Sequence, residues 1–260
     1  MRPVTSRVVW RLAGVAAAVA LLQAVPHGQD APLPAASEIV AKFVTAIGGA
    51  AAHKAVSSIH ATGTFELVGQ NMAGTVELYS ARPNKQLVRA RIPAIGLIES
   101  GFDGKVGWEL DPTTGPALLT GRRLREAADD DWFDAALHAP DHVQSMTTTA
   151  RTTFANRPAY EIHVVHPSDT EEKTEENEFY DVETHLLLGS EDTRELPIGV
   201  LPTTIELREY RKFGALLQPT EVSERSMGYE QVLHLTSYEY NKVPASTFDP
   251  PPPIKALINK

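Results

Sequence analysis

Cysteine is absent from all 260 residues. Its absence excludes disulfides, thiolate metal sites, a cysteine nucleophile and the lipid-bearing cysteine of a bacterial lipoprotein. Membrane-length apolar runs are missing as well: the stretch from Leu12 to Val25 is fourteen residues, short of the roughly twenty that a spanning helix needs. Catalytic signatures are also lacking. No glycine-rich phosphate loop follows a strand, no Gly-x-Ser-x-Gly elbow occurs, and no His-Glu-x-x-His helix is present. Positive charge is scarce, with Lys+Arg 24 against Asp+Glu 33 and a formal net charge of −9. Such an acidic body is repelled by nucleic acid and by anionic lipid.

The first residues have the layout of a secretory leader. Arg2, Arg7 and Arg11 precede the apolar run, and Pro26-His27-Gly28 follows it. Residues 1–24 are therefore expected to be a signal peptide cleaved near Ala24, with 25–36 a disordered spacer; an uncleaved membrane anchor is the alternative. Losing three arginines and no acidic residue takes the formal charge from −9 to −12. The expected product is exported and soluble.

What the chain has is turn chemistry between alternating strands. Gly74 to Pro112 holds three apolar runs of period two, separated by Ala81-Arg82-Pro83-Asn84 and by Asp103-Gly104. Pro83 presets φ for a reversal, Asn84 tolerates a left-handed conformation, and Asp-Gly is a strong short hairpin signal. Before this meander, Ser37 is a candidate N-cap for a helix through Ile39, Val40, Phe43, Val44 and Ile47, which ends at Gly48-Gly49. A short helix at Ala50 to Val56 and a strand through Ala61, Gly63, Phe65 and Leu67 follow.

Arg122 to Leu137 is the long helical interval, with Leu124, Trp132 and Phe133 among its apolar members and Asp129 to Asp131 a solvated acidic face. Trp132 and Phe133 read either as ordinary helix packing or as part of a movable lid. Further short strands run on to Lys242. The expected fold is mainly β with some α (α+β): a curved antiparallel half barrel of about eleven strands, with N-terminal and central helices as lid or plug. Its strands carry apolar groups on both faces, so both faces need cover. One domain, 37–253, and a C-terminal tail, 254–260, are expected.

His138 and His142, near Asp130, Asp131 and Asp141, are spaced four apart like a helical metal pair. Pro140 between them breaks that helix, so no metal is expected. His163 and His166 fall on opposite strand faces and read as surface residues.

The strand running into Arg82-Pro83-Asn84, then Asp103-Gly104-Lys105, Trp108 and Asp111-Pro112, resembles the outer-membrane lipoprotein-sorting family, the LolA/LolB-like carriers. Val243-Pro244-Ala245-Ser246-Thr247-Phe248 leading to Pro250–Pro253 is similar to that family's closing segment. Phe179-Tyr180-Asp181 through Thr184 to Leu186, and Tyr210 through Phe213-Gly214 to Pro219-Thr220, are similar to wider relatives. The resemblance implies an eleven-stranded half barrel whose apolar concave face, closed by helices, holds acyl chains. It also implies that Arg82 ties the helical lid to the barrel. Gln86 stands four residues on, where the family's carrier has an aromatic.

On this footing the candidate cavity residues are Phe65, Val76, Leu78, Val88, Ile98 and Trp108, and the candidate lid residues are Arg82, Leu124, Trp132 and Phe133. The expected function is a non-enzymatic carrier, chaperone or binding protein for a lipid or lipid-modified protein. It would be a monomer without cofactor, without nucleic-acid partner and without stable membrane insertion after leader cleavage. Two alternatives stay open. One is a filled barrel acting as a protein-interaction or envelope-sensor module; the other is a hydrolase using His138, His142 and nearby aspartates.

Overall fold

The helix α1, Ala36–Ala46, begins the folded unit, which spans Leu33–Lys260. The structure, a computed structural model, describes residues 32–130, 133–138, 143–167, 175–196 and 199–258. The expected leader, 1–24, and spacer residues 25–31 lie outside the described residues. In α1, Ile39, Val40 and Phe43 are buried on one face, and Ile47 is buried just beyond. Ala35, not Ser37, occupies the N-cap and makes no side-chain cap bond. The helix therefore starts one turn position early, held by its buried face. Gly48 and Gly49, at φ of 123° and 86°, end it and lead into α2, Ala50–Lys54.

Six strands follow as consecutive antiparallel neighbours: β1 (Ser58–Leu67), β2 (Met72–Ala81), β3 (Lys85–Ile92), β4 (Gly96–Phe102), β5 (Gly107–Asp111) and β6 (Gly115–Leu118). Local chemistry sets their turns. Asp103 Oδ1 accepts the N–H groups of Lys105 and Val106 at 2.8 Å each, and Gly104 takes φ of 100°. The chain then passes through α3, Gly121–Asp130, and a 3-10 turn, Ala135–Leu137, to a second run: β7 (Ser145–Phe154), β8 (Arg157–Val165), β9 (Glu175–Asp181), β10 (Leu187–Leu196) and β11 (Gly199–Arg208). A small hairpin, β12 (Arg211–Phe213) and β13 (Leu216–Gln218), precedes β14 (Glu221–Ser226) and β15 (Tyr229–Tyr240).

Thirteen of these strands form a single curved, unclosed sheet, ordered β6-β5-β4-β3-β2-β1-β15-β14-β11-β10-β9-β8-β7. The first strand and the last meet at its centre. Adjacent residues of α3 report the curvature. Arg122 donates to the Thr193 carbonyl of β10 at 3.1 Å, while Arg123 ion-pairs with Glu109 of β5. Seven strands separate β5 from β10 in the sheet order, so the two wings must bend toward one another beneath α3.

Register separates the faces. On the inner face, Tyr238, Ala61, Leu78, Val88 and Ser100 form one row, and Leu235, Gly63, Val76, Ala90 and Ile98 the next. A third row runs from Leu67 through Gln231, Glu224, Ile205, Ser190 and Glu178 to Ile162, which packs on α1. The α1 helix and the β12–β13 hairpin thus share the inner side. Leu217 donates its N–H to the Ile47 carbonyl at 3.0 Å, and the Phe213 ring lies 4.9 Å from that of Tyr238.

The outer face carries the row Glu239, His60, Tyr79, Leu87, Gly101 and Trp108. A 3-10 turn, Ala245–Phe248, and α4, Pro252–Ile258, cover it, packing Phe248 and Ile254 on Leu87 and Trp108. Gly101 is required there, because a Cβ would stand 2.5 Å from the Trp108 ring.

Three expectations are revised. The sheet has thirteen strands, not about eleven; β6, at four residues, is too short to show a period. Residues 254–258 are no tail: they belong to α4, whose Ile254 is fully buried against Leu87 and Trp108. The helix expected from Arg122 to Leu137 is α3 plus a 3-10 turn. Phe133 gives its N–H to Pro83 at 2.9 Å, a bond to the β2–β3 turn in place of a helical one.

Candidate functional site

The inner face of β1 to β4 and β15 carries an apolar patch. Phe65, Val76, Ile92 and Leu235 are buried at its base, while Leu78, Val88, Ile98, Leu233 and Tyr238 remain partly exposed. Five of the six sequence-predicted cavity residues, Phe65, Val76, Leu78, Val88 and Ile98, come together in this patch. Trp108 does not. Register puts it on the opposite face, 2% exposed under α4. The two wings of the inner face differ. Against α1, Ile162, Val164 and Tyr180 are fully buried, and Phe43 meets Tyr180 edge-on at 5.3 Å.

Arg82 links three elements at the β2–β3 turn, where the Arg82–Pro83 peptide is cis. Its Nε donates to the Val56 carbonyl at 2.7 Å, and its Nη2 to the His53 carbonyl at 3.0 Å. The same guanidinium grips both carboxylate oxygens of Asp134, with Nη2 to Oδ1 at 2.8 Å. It also lies 4.8 Å over the Phe133 ring. A planar fork with five donors can serve two carbonyls and a carboxylate at once; a lysine cannot. Asn84 adds a bond from Nδ2 to the Ala128 carbonyl at 3.3 Å. Of the other predicted lid residues, Leu124 is half-buried and Trp132 lies outside the described residues. Burial lowers the pKa of His53, although the backbone at Ile47 partly counters this.

A second tie joins the segment after α3 to the sheet. His138 ends the 3-10 turn in a left-handed conformation, φ 48°, and its buried Nε2 lies 2.9 and 3.1 Å from the two oxygens of Glu178. The Tyr180 hydroxyl donates to Glu178 Oε2 at 2.8 Å. Burial pulls the His138 pKa down, but the hydrogen bond and charge of Glu178 outweigh it and the net shift is upward. Sequence reasoning weighed His138 as a metal ligand with His142 and missed Glu178. One signal was available: Glu178 and Tyr180 alternate onto the inner face of a strand, where a carboxylate needs a partner.

His142, Asp131 and Asp141 lie outside the described residues, and no side-chain geometry is described for Asp129 or Asp130. Among the described residues no group of three His, Asp or Glu side chains is arranged to hold a metal. An outer-face groove of about 780 Å³ is mixed in character, lined by Thr62, Thr64, Glu77, Arg89, Arg91, Leu97 and Glu99 among others. Arg89 pairs there with Glu99 at 2.7 Å, which sets an ion pair in its wall.

A curved antiparallel sheet, open at its edges and crossed by a helical strap over an apolar inner face, defines the class of fold. Solved structures share it. A LolA superfamily protein from Nitrosomonas europaea matches with a TM-score of 0.55 at 14% identity, over 84% of this chain and 99% of that one. A DUF1329 family protein from Desulfovibrio piger matches at 0.56 and 11%, over 82% and 96%. An outer membrane lipoprotein-sorting protein domain from Vibrio parahaemolyticus matches at 0.50 and 10%, over 85% and 100%. The fold is thus the LolA-like half barrel. No protein-family model and no curated protein sequence matches the chain.

Proposed function

We propose that the protein is an exported, periplasmic, non-enzymatic carrier that holds the acyl chains of a lipid or lipid-modified protein against the inner face of its half barrel. One observation supports this above the rest. The inner face of β1 to β4 leaves Leu78, Val88 and Ile98 partly exposed in two adjacent rows, whereas the α1 wing of the same face is filled. Burying ten methylenes there gains on the order of 8 kcal/mol before ordering costs, enough for useful affinity without a charged contact. Two solved structures of this fold are described as a LolA superfamily protein and a lipoprotein-sorting domain, which agrees with this reading. Arg82, Leu124 and Phe133 belong to the lid, and the protein acts as a monomer without cofactor.

Mass spectrometry of lipid co-purified from the native compartment tests the proposal. The expected result is a stoichiometric long-chain species, with delipidated protein regaining melting temperature when long-chain lipid is restored. Absence of both sinks the carrier. The packed α1 wing favours a second reading, a filled barrel that binds protein, and that reading is left standing by such a result.

A further inference from the structure

Six large apolar side chains are exposed among the described residues, and four gather at one end of the sheet: Val68 at 46%, Val200 at 52%, Met227 at 59% and Tyr229 at 60%. They sit on or beside three hairpin tips, β1–β2, β10–β11 and β14–β15. Strands β1, β15, β14 and β11 are consecutive in the sheet, so neighbouring strands here stand about 5 Å apart. Val68 donates its N–H to the Glu230 carbonyl at 2.8 Å, and Ser226 pairs with both Tyr229 and Thr203. Below them a groove of about 180 Å³ is lined by Leu67, Leu201, Met227, Tyr229 and Gln231 among others. Leu67 and Gln231 belong to the third inner-face row, so this groove opens on the same face as the apolar patch of β1 to β4.

Glu224 and Ser226 line the groove as well, and the cation beside them is paired. Arg225 is held by Glu206 and, at 3.4 Å, by Glu230. Four side chains on three tips also fall short of the roughly 800 Å² per partner that a stable protein interface buries. A bilayer asks for no matching shape, only apolar side chains on a projecting edge.

We propose that this rim is a membrane-docking site that enters the interfacial zone of a neutral, zwitterionic bilayer and sets the hollow's open end against it. The role rests on the carrier reading: an acyl chain moving between bilayer and hollow would then cross no water. The net charge of −9 selects against anionic lipid.

The test is co-flotation of the purified protein with phosphatidylcholine vesicles. The wild-type chain is expected to float, and the Met227→Ser, Tyr229→Ser double variant to lose at least about tenfold in bound fraction. Melting temperature and uptake of a fluorescent fatty acid should stay at wild-type values. A Tyr229→Trp variant should be quenched by brominated phosphatidylcholine. Wild-type protein that stays unbound, that floats only with added phosphatidylglycerol, or that crosslinks through position 229 to a protein and not to lipid overturns the proposal. So does a double variant that floats as well as wild type. Fatty-acid uptake without flotation removes the rim alone; flotation without uptake removes the carrier alone.

Discussion

At the end of the sheet that carries the β2–β3 turn, Arg82 ties α2, the turn and the strap together, and α4 seals the outer face over Trp108. At the opposite end, hairpin tips present Val68, Met227 and Tyr229 to solvent. The same antiparallel ladder supplies both. Charge and capping helices are spent where the chain crosses between elements, and apolar surface stays bare where nothing crosses. The contrast teaches that covered, cross-tied packing and exposed apolar surface occupy different ends of this half barrel.

Substitutions can break that contrast, and the largest effect belongs to the sealed end. Trp108→Ala should cost about 3–5 kcal/mol in chemical denaturation, the range for emptying a fully buried aromatic site. Arg82→Ala should cost about 2–3 kcal/mol, because two carbonyls and Asp134 lose a charged donor that is itself partly solvated. Arg82→Lys should recover under half of that.

Histidines give a smaller effect whose sign sharpens the comparison. The pKa of His138 is raised in the folded state, so its contribution is full below its unfolded value near 6.5 and fades as pH rises through the folded value. Thermal melts of wild type against His138→Gln should therefore converge above neutrality. His53 is lowered, so protonation favours the unfolded chain, and stability should drop as pH falls below about 6.5. A His53→Gln variant should flatten that acid limb. Smallest of all, Met227→Ser should shift the unfolding free energy by no more than about 0.5 kcal/mol; a larger loss would mean the open end is structural after all.

Much of the sheet was legible because its signals are local. Asp103-Gly104 and Arg82-Pro83-Asn84 mark turns by backbone preference, and alternation set Phe65, Val76, Leu78, Val88 and Ile98 on one surface. Trp108 was misplaced for a reason that lies far along the chain: its cover, Phe248 and Ile254, arrives more than a hundred residues later. The partners of Arg82 were equally hidden, since Val56, His53 and Asp134 meet only when three elements converge. His138 and Glu178 are 40 residues apart, and no periodicity announces that distance. The strands β12 and β13, three residues each, are too short to show a period at all.

The position of β15 carries a consequence for assembly. Made from its N-terminus, the chain can zip β1 to β6 and then β7 to β11 as two local meanders, yet no strand of one is joined through the ladder to the other until the final long strand slots between β1 and β14. That strand is a keystone inserted last, closing pairings such as Thr62 with Ser237 across 175 positions of chain. Contacts so remote form slowly. Newly made protein should therefore dwell as two half-sheets with raw edges facing each other, the interval in which a helper protein or an aggregate would find it.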